Sequence, residues 1–293
     1  MSNERLGQIY AVFAFLFWGA IAPIYFKQVA SVDPVEVLIH RVIWSCIILF
    51  PLLFITKQFG VFKALIKEKE KIKLLALSTF FISINWLVFI WAVSNEKIME
   101  TALGYYINPL VNVLLGYLFF SERMNKNQYI AISIAFLAVI YQLVTLGSIP
   151  IVSLVLAFSF GFYGSIRKKI NVGSIVGLFV ETLILLPFAL IYLYYIISNE
   201  TISFLNSSEY ISLMLSLGGA ITIIPLLLFN GAATRMRLTT LGFFQYIGPS
   251  CAFLLALFVY NEEFNFDRLI TFSLIWFALV IFSLDSLKKK TLQ

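Results

Sequence analysis

Apolar residues in this chain come in long unbroken stretches, with the polar residues gathered between them. Ten stretches read as helices that cross a membrane, at 6–27, 35–57, 72–94, 98–120, 127–146, 150–167, 173–197, 210–233, 239–260 and 266–287. Most match the roughly 20 residues that a helix rising 1.5 Å per residue needs to cross a ~30 Å hydrocarbon layer. The first, from Leu6 to Phe26, is too long for a signal-peptide core and is expected to be a retained span. Asp33-Pro34-Val35-Glu36 reads as the start of the second helix, with an N-cap, a proline where no amide is needed, and a glutamate in the capping position. Glu36 is therefore expected to be a helix-start residue rather than a functional carboxylate.

Composition turns this pattern into a statement about solvent. Hydrophobic residues make up 61% of the chain and charged residues 12%, with a mean hydropathy of +0.94. A soluble domain carries about 25% charged residues, so there is too little charge here to cover a water-facing surface. A soluble two-domain enzyme is excluded, and the lipid bilayer is the expected partner. The net charge of +6 then serves orientation rather than nucleic-acid binding. Arg5, Lys57, Lys63, Lys67, Lys69, Lys71, Lys73, Arg123, Lys126, Arg167, Lys168, Lys169, Arg235, Arg237 and Lys288–Lys290 fall on one side of the predicted spans. The other side has only Lys27, Lys97 and Arg268. By the positive-inside rule both termini are cytoplasmic. Cys46 and Cys251 sit inside apolar runs and make no disulfide framework.

The chain also repeats itself. Tyr106-Ile107-Asn108-Pro109 recurs as Tyr246-Ile247-Gly248-Pro249, and each proline is followed by a glutamate at the same spacing, Glu122 and Glu262. Leu103-Gly104 is echoed by Leu241-Gly242, and Trp18-Gly19-Ala20-Ile21 by Tyr163-Gly164-Ser165-Ile166. The common order makes two five-helix units, 1–147 and 148–293. Because five is odd, the second unit enters the membrane from the opposite side. The expected fold is an all-α membrane protein of ten transmembrane helices in two inverted repeats, an arrangement that in transporters puts the substrate site near the midplane between the repeats.

Familiar catalytic signatures are absent. There is no Walker A loop, no His-Glu-x-x-His and no Cys-x-x-Cys, and a single histidine cannot build a multi-His metal site. No cofactor is expected. The costliest residues to keep in lipid are Arg41 and Glu181, roughly 9 Å and 12 Å inside their predicted helices at 1.5 Å per residue. They fall at equivalent positions of the two repeats with opposite sign. Arg41 is expected to meet an anionic substrate group and Glu181 a cation or a proton; a permanent ion pair between the two is the structural alternative. Val37, Arg41 and Trp44 share a helix face bordered by His40, which either makes a core hydrogen bond or titrates near neutral pH.

Polar residues and helix breakers add to this set. Tyr105, Asn108, Pro109, Asn112 and Gly116 lie on one face of the fourth helix, and Gln245, Gly248, Pro249 and Ala252 repeat the arrangement in the ninth. The prolines free backbone carbonyls that can line a cavity. Asn85 and Pro225 occupy corresponding places in helices three and eight. Singly these are kinks and helix–helix contacts; as a symmetric set they point to a cavity. Trp18, Tyr25, Trp44, Trp86, Tyr105 and Tyr163 accompany polar or small residues and are the aromatic candidates. Glu122 and Glu262 are candidate gate contacts, with Pro109 and Pro249 as the gating breaks.

Three segments resemble the RarD family, in the EamA-type branch of the drug/metabolite transporters. They are Glu36 with His40-Arg41-Val42-Ile43-Trp44, Glu100 through Tyr105 with Ile107-Asn108-Pro109-Leu110, and Gln245 through Ser250. Ile224-Pro225-Leu226 and Glu181-Thr182 are similar to the same branch. The resemblance implies ten helices, two inverted EamA-type repeats, a central cavity and a bacterial inner membrane; it carries no substrate. The expected function is a secondary transporter of a small metabolite or drug-like molecule by alternating access. A membrane enzyme acting on lipid-linked substrates, and a lipid-handling scaffold, are the alternatives from other classes. Reporter fusions in the loops near residues 97 and 200 should read external, and a cytoplasmic reading there would overturn both the topology and the inverted repeat.

Overall fold

The computed structural model describes residues 3–95, 97–146, 150–259 and 266–291. Among the described residues there is no strand; the chain is an all-α membrane protein. The first span runs as α1 (Asn3–Leu16), a π-helical turn (Phe17–Ile21) and α2 (Ala22–Gln28). The turn has a local cause, because Pro23 offers no amide to the carbonyl four residues back, and the Ala22 amide reaches to the Phe17 carbonyl instead. Then follow α3 (Pro34–Ile55), α4 (Phe59–Leu65), α5 (Lys69–Ser94), α6 (Ile98–Phe120), α7 (Lys126–Leu146), α8 (Ile151–Ile170), α9 (Ser174–Ser198), α10 (Glu209–Ala233), α11 (Leu238–Gln245), α12 (Ile247–Phe258) and α13 (Phe266–Thr291).

Nine helical stretches among the described residues are long and apolar enough to cross a membrane, and Leu269–Asp285 of α13 is a shorter apolar stretch. Three expectations about elements change. The segment after α3 is not simply a loop: α4 folds there because Phe59 stacks on Phe54 at 4.4 Å and Phe62 meets Phe179 edge-on at 5.2 Å. α8 runs three residues further than expected, to Ile170, and takes Arg167 inside the helix before Asn171 turns the chain in a left-handed conformation (φ 51°). The expected pair of proline breaks is unequal. α6 continues through Pro109, whereas the second copy is interrupted at Tyr246 between α11 and α12. There Gly248 replaces Asn108 beside the proline, and glycine adds backbone freedom to the lost hydrogen bond.

The capping expectation at α3 is half met. Asp33 accepts from the amides of Val35 (2.9 Å) and Glu36 (3.1 Å), but the Glu36 carboxylate reaches a distant loop instead of turning back.

The spans pack in a closed set: α5 and α6 against α8, α1 and α3 against α10, α3 against α9, α6 against α11, α7 against α13, and the first span against α12. The predicted basic side is gathered at one end. Gly7 approaches Arg235, Gln58 approaches Gly173, Glu122 meets Lys168 and Arg237, and Asn125 and Asn127 both donate to Asp285. At the other end Tyr141 donates to Asp267 and Ser153 to the Glu100 carbonyl.

Lipid tails are as apolar as leucine, so these helices associate through close packing rather than hydrophobic exclusion. Glycines set several close crossings, Gly219 and Gly242 among them. A Cβ on Gly219 would lie 2.5 Å from the Trp44 carbonyl carbon, and one on Gly242 would lie 2.7 Å from the Pro109 carbonyl oxygen. Gly219→Val should therefore push α10 off α3 and cost about 1–3 kcal/mol, read as a lowered Tm in detergent. Gly60→Ala, inside helix α4 with nothing within 4 Å of the added carbon, should not lower Tm. Equal behaviour of the two variants would contradict the crossing.

Candidate functional site

Arg41 lies two turns into α3, only partly buried. Its Nε donates to Thr222 Oγ1 on α10 at 2.8 Å, and its guanidinium sits over the rings of Trp86 (5.0 Å) and Phe26 (5.3 Å). Gly218 leaves the room for this: a Cβ there would be 2.7 Å from the Tyr25 hydroxyl and 3.1 Å from Arg41 Cγ. The Tyr25 hydroxyl and the Trp44 Nε1 are buried and have no hydrogen-bond partner among the described residues. Tyr105 on α6 is an electrostatic neighbour of Arg41, yet α3 and α6 are not a packed pair and Tyr105 is 51% exposed. The two side chains therefore face a common space between helices.

His40 borders this space from behind. It is buried, its ring nitrogens without a hydrogen bond among the described residues, with Nε2 3.9 Å from Glu36 and the ring 4.6 Å from that of Phe204. Glu36, 1% exposed, accepts the amides of Ser203 (2.8 and 3.0 Å) and Phe204 (2.9 Å). It thereby ties the α9–α10 loop to the first turn of α3. Its place in the first turn of α3 looks like capping chemistry, so nothing local in the sequence distinguishes the two uses.

Glu181 is at the matching depth of α9 and is 2% exposed. Ser78 donates to it at 2.5 Å and the Tyr163 hydroxyl at 3.3 Å, with Asn230 donating to Tyr163 at 2.9 Å. Its ionic partner is Arg167, Nε to Oε1 at 3.8 Å, and Arg41 makes no ion pair among the described residues. The structural alternative, an Arg41–Glu181 ion pair, is therefore set aside: Glu181 is paired inside the α8–α9 hairpin. Arg167 is also corrected: counted by its Arg-Lys-Lys run as a surface charge, it is the largest fully buried side chain. Its guanidinium lies against the bare backbone of Gly177, one helical turn before Glu181. That glycine was the available signal.

Asn108, Asn112 and Gln245 meet in a buried joint instead of lining a stripe open to water. Asn112 donates to Gln245 at 2.5 Å and to Asn108 at 3.4 Å, and Asn108 donates to the Ala157 carbonyl at 2.6 Å. Tyr246 donates to the Tyr106 carbonyl at 3.3 Å. Asn85 ties α5 to α8 through the Leu156 carbonyl (2.9 Å) and Ser159 (3.1 Å). Trp18 packs among Phe15, Phe160 and Phe229 in the π-helical turn, where Gly19 lies directly against Gly248.

Glu122 closes the basic end. Ser121 takes a left-handed conformation (φ 52°) after α6, and this aims the next carboxylate at the start of α11. Glu122 accepts the amides of Leu238 and Thr239 (2.8 Å each) and the Thr239 hydroxyl (2.6 Å). Lys168 and Arg237 stand 3.7 and 4.0 Å away. A carboxylate at unsatisfied helix-start amides is favourable in both hydrogen bonding and charge. Glu262 lies outside the described residues. Among the described residues no three His, Cys, Asp or Glu converge to hold a metal ion.

The Arg167–Glu181 pair makes a sharp stability prediction. Arg167→Gln leaves a buried carboxylate without its cation and should cost about 3–5 kcal/mol, seen as poor expression or a lower Tm. Adding Glu181→Gln should recover much of that loss. If the double variant is as unstable as the sum of the singles, the two side chains are not coupled.

Residues 5–144 match the EamA-like transporter family. The chain is 50% identical over 285 residues to the protein RarD of Salmonella typhi, covering 97% of each. It is 47% identical to that of Escherichia coli (strain K12), covering 97% of this chain and 96% of the relative. An uncharacterized transporter of Bacillus subtilis (strain 168) is 41% identical over 292 residues, with 99% and 97% covered. A solved crystal structure shares the fold at a TM-score of 0.69 and 13% identity, covering 94% of this chain and 96% of that one. With the polar spans, the end closures and full-length relatives in agreement, this chain belongs to the RarD family of EamA-like membrane transporters.

Proposed function

We propose that this transporter moves a small metabolite by alternating access between two inverted five-helix repeats, 1–147 and 148–293, in a bacterial inner membrane with the basic end cytoplasmic. The observation that carries the reading is that residues at the offset of 140 make matching contacts. Tyr246 donates to the carbonyl of Tyr106, as residues beside a two-fold axis do. Ser78 donates to Glu181, and their counterparts Gly218 and Arg41 are neighbours too, since a Cβ on Gly218 would lie 3.1 Å from Arg41 Cγ. The helix pairs follow suit. α3 with α9, α6 with α11 and α7 with α13 are pairs of equivalents, and α6 on α8 corresponds to α11 and α12 on the first span.

In this reading Arg41, Tyr105, Trp44 and His40 border the substrate chamber toward the external end. The joint of Asn108, Asn112 and Gln245, where α6 runs on through Pro109 and the second copy is interrupted at Tyr246 before Pro249, is where one repeat rocks on the other. Glu122 is the cytoplasmic gate contact. When the gate parts, the amides of Leu238 and Thr239 pass to water, so the closed state is favoured by the difference between a carboxylate and water as acceptor. Charge-assisted hydrogen bonds are about twice as strong as neutral ones.

Two reporter cysteines in a background lacking Cys46 and Cys251 test the coupling. Ser165, near the basic end and buried without a hydrogen-bond partner, reports cytoplasmic opening; Tyr105 reports the external chamber. Glu122→Gln should raise maleimide labelling of Ser165→Cys by roughly tenfold, which corresponds to about 1.4 kcal/mol, and should lower labelling of Tyr105→Cys. Rates that rise together would describe a leak, and rates that do not move would remove the gate.

A further inference from the structure

Arg41 and Arg167 are both guanidiniums held within the membrane layer, and the chain treats them differently. Arg167 has Glu181 at 3.8 Å. Arg41 has a threonine hydroxyl at its Nε, an aromatic ring at 5.0 Å and another at 5.3 Å, and no carboxylate within ion-pair distance among the described residues. The carboxylate nearest to it in sequence on the same helix, Glu36, is occupied by three hydrogen bonds from the amides of Ser203 and Phe204. An uncompensated charge in this layer is costly and normally faces a cavity or a partner.

The groups around Arg41 share one chemical character. Its two terminal nitrogens remain after Nε is spent on Thr222, the indole nitrogen of Trp44 can only donate, and the Tyr25 hydroxyl is free to donate. Trp44 Nε1 and Tyr25 OH are both buried and unpartnered, Tyr25 at 4% exposure. With Thr222 Oγ1 taken up by Nε, the guanidinium and indole can only donate and the Tyr25 hydroxyl can do so. Such a surplus of donors complements a ligand group that only accepts, and a carboxylate fits the planar guanidinium fork. The surrounding walls are rings: Trp86 and Phe26 on the guanidinium, and Phe204 against Trp44 at 6.3 Å.

Glu181 does not supply the complementary site for a cationic group. Arg41 is seven residues into α3 and Glu181 seven residues into α9, counted from opposite ends of the bundle. Each is thus about 10 Å inside a layer of about 30 Å, which leaves roughly 10 Å between their levels. A small zwitterion does not bridge that span, and Glu181 is already matched by Arg167, Ser78 and Tyr163.

We propose that the Arg41 chamber binds the carboxylate of a small organic monoanion whose apolar or aromatic body lies against Trp44, Trp86 and Phe204. This rests on the transporter reading for its physiological sense, and names the charge class of the substrate.

Purified full-length protein in nanodiscs, titrated with phenylacetate, phenylacetamide and 2-phenylethylamine, tests the proposal through tryptophan fluorescence and thermal shift. The three probes share a ring and differ in the charge of the head. Phenylacetate should bind at least about tenfold more tightly than the amide, the scale of one hydrogen bond to a charged group, and the amine should not bind. Arg41→Gln should erase the preference, while Arg41→Lys keeps its sign with weaker binding. Tyr25→Phe, which leaves the packing in place, should weaken phenylacetate several-fold and so carries the test if the Arg41 variant does not fold. Equal binding of the three probes, no binding of phenylacetate, or a preference that survives Arg41→Gln would overturn it. Flux in proteoliposomes separates the two claims. Charge-selective binding without flux of any probe would count against transport and keep the anion chamber, and preferential flux of the amine would do the reverse.

Discussion

A membrane's hydrocarbon offers no water to answer a polar group, so a polar side chain on a span is answered within the chain or faces a cavity. The packing of the basic half follows from this constraint acting on Glu181. Its carboxylate collects Ser78 from α5 and Tyr163 and Arg167 from α8, and Asn230 of α10 holds the tyrosine in turn. Four helices are fixed relative to one another by one charge. Arg167 reaches it only because Gly177 has no side chain in the way, so the smallest residue of the hairpin sets the position of the largest buried one.

Shape does the rest of the assembly. Without a hydrophobic drive between helices, contact area and short polar bonds decide which faces meet. Gly219 and Gly242 let backbones approach, and the amides of Asn112 and Gln245 close the second crossing at 2.5 Å. The two proline copies show how context decides an outcome. Pro109 is buried, its carbonyl seated on Gly242, and α6 stays continuous. Pro249 follows a glycine and the helix ends at Tyr246. The same residue type thus yields a stiff rod in one half and a jointed one in the other.

Both ends of the bundle are tied by a carboxylate to backbone amides far along the chain, Glu36 to Ser203 and Phe204, Glu122 to Leu238 and Thr239. Each tie satisfies amides at a loop or a helix start, which have no partner within a helix. A strong polar cluster in the middle and carboxylate–amide ties at the ends suit the alternating access proposed above.

Much of this was legible in the residue order. Apolar run length gave the spans, since hydrocarbon thickness is a fixed ruler; α6 begins and ends where the pattern places it. The basic loops gather at one end as the alternation of spans requires. The residues Arg41, Trp44 and Glu181 stand out in any window because charge and indole are conspicuous among aliphatics. What the order of residues could not show is which charge answers which. Arg167 reads as a surface cation because its neighbours Lys168 and Lys169 do, and only the turn at Asn171 folds it back onto Gly177 and Glu181. Glu36 reads as a cap because local geometry allows it, and only the return of the α9–α10 loop, far along the chain, offers it better donors. One-dimensional pattern reports what a residue costs in lipid; the partner that offsets the cost is a matter of distance, and distance is decided by the tertiary fold.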